Sequence, residues 1–153
     1  VDIFKVFDSI EKLELKISEL YQYFHKLFTD EKEAGALFFR LSLDEQSHAD
    51  LIKYQRRLAR QNKNLSKDIE MDISRVDKLI SGIDKIIGSH KPLSLREAIK
   101  LSIEIENDTM EYHGRHALIK GHPEIAELLK NLSGEDQEHI NLLRELAKYG
   151  TSQ

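Results

Sequence analysis

Apolar residues at Ile3, Phe7, Ile10, Leu13, Ile17, Leu20, Phe24 and Leu27 recur at steps of three and four, the mark of one buried helical face running to about Phe28. Asp30 followed by Glu33 reads as a capping box. The steps then resume through Ala34, Leu37, Phe38, Leu41, Ala49, Ile52 and Leu58 to about Gln61, so a tight turn is expected between two long helices. The stretch "NKNLSKDIEMD" has no period. Ile73, Val76, Ile80, Ile83 and Ile87 then predict a short extra helix inside a long crossover. Pro92 and a second capping box, Ser94 with Glu97, open a third long helix from about Leu95 to Lys120. Gly121 stops it, Pro123 starts a fourth, and Gly150 is expected to end that one after about Tyr149. The order describes two helical hairpins joined by a long link, an all-α up-down-down-up bundle occupying residues 1–153 as a single domain.

Composition sharpens this picture by exclusion. Acids (27) outnumber Lys and Arg (23) and the bases are interspersed among them, so no basic stripe is available for nucleic acid. No apolar run approaches the roughly 20 residues that span a bilayer, and "VDIFKVFDSIEKLELK" is too regularly charged for a signal peptide, so a soluble, cytoplasmic protein with no membrane partner is expected. Zero cysteines exclude disulfides, thiolate zinc, cysteine-ligated iron and a cysteine nucleophile. Any metal must be held by His and carboxylates.

Two carboxylate-x-x-His pairs occur, Glu45 with His48 and Asp136 with His139. With 7 His and 27 acids in 153 residues, about one such pair arises by chance, so the count alone decides nothing. Their surroundings do more. A shift of 91 positions lays Leu37, Phe38, Leu41, Glu45, His48 and Leu51 over Leu128, Leu129, Leu132, Asp136, His139 and Leu142, and a shift of 92 lays Glu14 over Glu106. The chain reads as a duplicated helical hairpin. In each copy a lone Glu precedes the pair by about thirty residues, 31 from Glu14 to Glu45 and 30 from Glu106 to Asp136.

Residues at i and i+3 leave a helix on one face, and in an antiparallel hairpin a separation of thirty returns the upstream Glu to the level of the pair. Four carboxylates and two imidazoles therefore converge, interrupting the apolar stripes instead of lying opposite them. Four uncompensated carboxylates in a core are prohibitively unfavourable, and two metal ions would offset their charge. Oxygen and imidazole ligands without sulfur suit iron or manganese, with zinc also able to bind.

This constellation resembles the ferritin-like di-iron carboxylate superfamily, in which a Glu from each of two helices meets a Glu-x-x-His from each of two others. "ELKISELYQYF", with Tyr21 seven residues after Glu14, and "LDEQSHADLI" are similar to the first helical pair of rubrerythrins. The resemblance covers all four long helices. It implies a ferritin-like four-helix bundle holding two Fe ions, with Glu45 and Asp136 bridging or chelating, His48 and His139 each capping one ion, and Glu14 and Glu106 terminal. Tyr21 and His113, at matching positions in the two halves, would stand behind these ligands, whereas His25, His90, His116 and His122 are expected at the surface.

The implied activity is that of a non-haem di-iron oxidoreductase reducing peroxide or dioxygen. Three features depart from the rubrerythrin pattern. Asp136 is one methylene shorter than the usual Glu, leaving Glu135 as an alternative ligand. Thr109 stands where many rubrerythrins carry a second Glu, and Glu111 lies on another face. Without cysteine there is no rubredoxin domain, so electrons would come from a separate donor protein. Two further readings stay open: metal binding for iron sequestration or sensing without turnover, and a metal-free structural bundle. A homodimer is compatible with the resemblance, because bundles of the family often pair. Gly134, inside the fourth long helix, is expected either to admit a close helix or to loosen the turn beside Asp136.

Overall fold

The first element, α1 (Ile3–Leu27), buries Ile3, Val6, Phe7, Ile10, Leu13, Ile17, Leu20, Tyr21 and Phe24 along one stripe, into which Glu14 is set. The computed structural model describes residues 1–65 and 67–149, and the proposed stop at Gly150 lies outside them. Asp2 caps α1, its side chain accepting from the Phe4 amide at 2.8 Å. Thr29 closes the other end, its hydroxyl donating to the carbonyls of His25 and Lys26.

The turn into α2 (Lys32–Gln61) differs from expectation. The N-cap is Glu31, it makes no side-chain cap, and the Asp30–Glu33 box does not form. The backbone itself satisfies the turn, with Glu31 N–H donating to Phe28 O and Gly35 N–H to Glu31 O. His25 Nδ1 lies 2.8 Å from Gly35 O, and a Cβ at Gly35 would sit 3.0 Å from Phe28 O, so the reversal is tight enough to favour glycine. Phe24, Phe28, Phe38 and Tyr21 pack as an aromatic group just inside this turn.

The crossover is better ordered than its sequence pattern promises. Its backbone pairs with the start of α1, Ile3 N–H donating to Lys67 O at 2.7 Å and Ile69 N–H to Val1 O at 2.9 Å, and this buries Ile69 and Met71. The extra helix, α3 (Ser74–Ser89), runs for 16 residues, packs on α1 and buries Val76 and Ile83. It ends at His90 in the left-handed region (φ 52°).

Next, α4 (Leu95–His116) opens on the expected box, Ser94 Oγ accepting from Glu97 N and Glu97 Oε1 accepting from Ser94 N. Ser94→Ala should cost about 1 kcal/mol, read as a lower denaturation midpoint at unchanged slope; an unaltered midpoint would show that packing alone sets this end. The helix stops four residues short of Lys120, because the chain reverses through Gly121 at φ 85° before Pro123 begins α5 (Pro123–Tyr149). His122, expected at the surface, is buried in that reversal, and His25 and His116 are half-buried.

Among the described residues the chain is all-helical, with five helices and no strand. Each long helix packs on its hairpin neighbour, α1 on α2 and α4 on α5, and α2 also meets α5. No helix among the described residues is long and apolar enough to cross a membrane.

Candidate metal centre

Glu14 (α1), Glu45 (α2), Glu106 (α4) and Asp136 (α5) are each 0% exposed, and His48 and His139 are buried beside them. The helical period puts them there: each occupies a position of the inward stripe, between Leu13 and Ile17, between Leu41 and Ile52, between Ser102 and Thr109, and between Leu132 and Ile140. The six residues singled out in the sequence therefore do meet at one level of the molecule.

They form two overlapping triads, Glu14–Glu45–His48 and Glu45–Glu106–His139, each with ligand atoms within 4.8 Å of one another. Glu45 belongs to both. His48 Nδ1 lies 3.4 Å from Glu45 Oε2 and 3.7 Å from Glu14 Oε2; His139 Nδ1 lies 3.1 Å from Glu45 Oε1 and 3.2 Å from Glu106 Oε1. Ligands each about 2.1 Å from one ion are separated by about 3.0 to 3.5 Å, so three of these gaps match the edges of a coordination shell and the fourth, from His48 to Glu14, is slightly longer. The two imidazoles lie nearly parallel, with ring centroids 5.7 Å apart.

The donor atoms are also left without hydrogen-bond partners. Both oxygens of Glu14, both of Glu45, Glu106 Oε2, Asp136 Oδ1 and His48 Nδ1 are buried and unsatisfied. Buried polar atoms are normally paired, and so many orphans at one spot mark a place built for a ligand. Two buried Glu/His groups thus fit metal ions by burial, spacing and donor chemistry.

Electrostatics point the same way. Burial, then repulsion from Glu45, pushes Glu14 up to about 7. Burial also raises Glu106 and Asp136. For His48, burial works to lower the pKa, but the facing carboxylates of Glu14 and Glu45 outweigh it and lift the group to about 11; His139 reaches about 11 against the same opposition through Glu106 and Glu45. Without a metal, protons take the place of cations among these carboxylates.

Supporting contacts correct and extend the sequence reading. Tyr21 donates its hydroxyl to Glu106 Oε1 at 2.6 Å, and burial followed by the Glu106 and Glu45 charges holds its pKa well above the usual phenol value, so it remains a donor. Asp136 is turned inward and Glu135 outward, yet Asp136 belongs to neither triad: its Oδ2 accepts from His113 Nδ1 at 2.7 Å. Asp44 was not anticipated. Its Oδ2 lies 3.1 Å from His139 Nε2, holding the imidazole from the side away from Glu45 and Glu106. A contact between helices 95 residues apart in sequence leaves no periodic signal; only its place beside Glu45 hinted at it. Thr109 bonds its own helix at Ile105 O, and Glu111 pairs on the surface with Arg115 and Arg75.

A cleft of about 740 Å³ between α2 and α5 reaches His48 and His139, with Arg40, Lys130, Glu135 and Glu138 among the residues lining it. Gly134 also lines it, and a Cβ there would meet nothing within 4 Å, so this glycine admits no close helix. The cleft meets the two imidazoles, while Glu14, Glu45 and Glu106 are fully buried and do not line it.

The arrangement is compatible with a ferritin-like fold. No family model, curated protein or solved structure matches the chain.

Proposed function

We propose that this chain is a ferritin-like, rubrerythrin-like protein whose dinuclear metal centre, with iron as the leading metal, reduces peroxide or dioxygen using electrons from a separate donor protein. The observation that carries this reading is the pair of buried triads sharing Glu45, with unpaired donor atoms behind a cleft wide enough for a small oxidant.

Glu14, Glu45 and His48 would hold one ion, and Glu45, Glu106 and His139 the other. A pair of redox-active ions supplies two electrons, which with two protons cleave the O–O bond of hydrogen peroxide to two waters. The chain's own residues do the rest. Tyr21 donates its hydroxyl hydrogen bond to Glu106 Oε1 and so fixes that carboxylate, and Asp44 fixes the ring of His139. Apolar neighbours such as Leu13, Leu41, Ile52 and Leu132 exclude water from the carboxylate side. The oxidant enters along the α2–α5 cleft, over the two imidazoles.

The test begins with anaerobic loading with ferrous iron, where close to two irons per chain are expected after gel filtration. Adding one equivalent of hydrogen peroxide should then produce diferric absorption within the mixing time of a rapid-kinetics instrument. Two bound irons that oxidise only over many minutes would instead indicate storage or sensing without turnover.

A further inference from the structure

The two halves of the chain are not equivalent behind the carboxylates. Seven residues after Glu14 stands Tyr21, and seven after Glu106 stands His113. Each addresses the lone Glu of the opposite hairpin. Tyr21 donates to Glu106 Oε1 at 2.6 Å, whereas His113 Nε2 stops 3.5 Å from Glu14 Oε1 and makes no hydrogen bond.

His113 is 0% exposed, and its other nitrogen is engaged: Nδ1 lies 2.7 Å from Asp136 Oδ2, a carboxylate oxygen that accepts. With the proton on Nδ1, Nε2 presents a lone pair to an unpartnered carboxylate oxygen. Two buried acceptors facing each other need a proton or a metal ion between them, and a metal ion bound here would displace the proton. The arrangement has a parallel in the same site. His139 is gripped by Asp44 at Nε2 and turns Nδ1 toward Glu45 and Glu106, the carboxylate–histidine–metal pattern in which an outer carboxylate fixes tautomer and ring orientation. Asp136, one methylene shorter than a Glu, is outside both triads and occupies toward His113 the place that Asp44 occupies toward His139.

We infer that His113 Nε2 is a third imidazole ligand, taking the ion held by Glu14, and that Asp136 is the carboxylate that orients it. The centre is then unsymmetrical, with two imidazoles, His48 and His113, on the Glu14 side and one, His139, on the Glu106 side. This rests on the dinuclear reading and refines it.

The experiment uses the full chain loaded anaerobically with ferrous iron. X-ray absorption should count three imidazole nitrogens per two irons, where the symmetric site would give two. His113→Tyr, which copies the Tyr21 arrangement, should lower the count to two and weaken one of the two iron affinities at least tenfold while leaving the other unchanged. Asp136→Asn still offers an oxygen to Nδ1, so both irons should remain, the Glu14-side iron bound about 10–100-fold more weakly. A wild-type count of two, or a His113→Tyr chain with both affinities intact, would overturn the assignment and leave the dinuclear reading standing. A wild-type chain that takes up no iron would overturn both. The wild-type count keeps its force if His113→Tyr fails to fold.

Discussion

Glu45→Ala should weaken both metal ions together, whereas Glu14→Ala should weaken only one. Glu45 is the one carboxylate common to the two triads, so its loss leaves Glu106 and His139 alone on one side and removes an anionic ligand from the other. Even outer-shell partners of a metal ligand are worth about 10–100-fold in affinity, so a shared direct ligand should exceed that on each ion. Neither ion should then survive gel filtration. Glu14→Ala leaves Glu45, Glu106 and His139 intact, and close to one ion per chain should remain. Metal analysis of the three proteins, with helical circular dichroism as a check on folding, decides it. Retention of two ions by Glu45→Ala would remove the shared-carboxylate geometry from consideration.

The second large effect is on stability, and its sign follows from the direction in which each group is displaced. Glu14 rises from 4.5 to about 7, through burial first and Glu45 second. A group bound more tightly to its proton in the folded chain supports the fold fully below its unfolded pKa, and that support is lost as pH climbs through the folded value. The metal-free chain should therefore lose stability as pH rises from 4.5 to about 7. Each tenfold change in proton affinity is worth about 1.4 kcal/mol, so the loss is on the order of 3 kcal/mol. His48 and His139, near 11, stay protonated across that range; their contribution is fully present below 6.5 and is lost progressively as pH rises from there through about 11.

A bound metal replaces these protons and removes the penalty on ionised Glu14, so metal affinity and metal-induced stabilisation should both grow with pH. The gap in melting temperature between the metal-free and loaded chains should be wider at about pH 8 than at about pH 5.5. Loading in weak buffer at neutral pH should also release at least two protons per chain. An equal gain at both pH values, or uptake without proton release, would contradict the proton-for-metal exchange.

Because the helical period is fixed at about 3.6 residues, a sequence that places Glu14 between Leu13 and Ile17 already commits that carboxylate to the buried face. The same holds for Glu45, His48, Glu106, Asp136 and His139, and the internal repeat tied them into one set. Hairpin order was legible for the same reason, as was the Ser94–Glu97 cap, a local motif that needs no partner. Other local signals failed where a cheaper solution existed: Asp30 and Glu33 form no box because backbone groups of the turn already satisfy one another. Gly121 and Pro123 marked the reversal correctly, but α4 ends earlier than its apolar residues suggest, since the turn needs room to bring α5 back.

What periodicity assigns is a face, and what it leaves open is the partner across that face. Glu135 and Asp136 are adjacent acids near His139, and the rotation of α5 alone turns Asp136 inward. The link from Asp44 to His139 and the link from Asp136 to His113 join helices through the fold, at distances set by helix spacing and side-chain length. The sequence by itself determined which face of each long helix turns inward and set the carboxylates and imidazoles on it, because burial follows a local repeat, although at the helix ends Leu27 and Leu58 are exposed and His122 is buried. Which oxygen meets which nitrogen was decided only by the tertiary structure, because one methylene or a fraction of a turn moves a donor by enough to make or break a hydrogen bond.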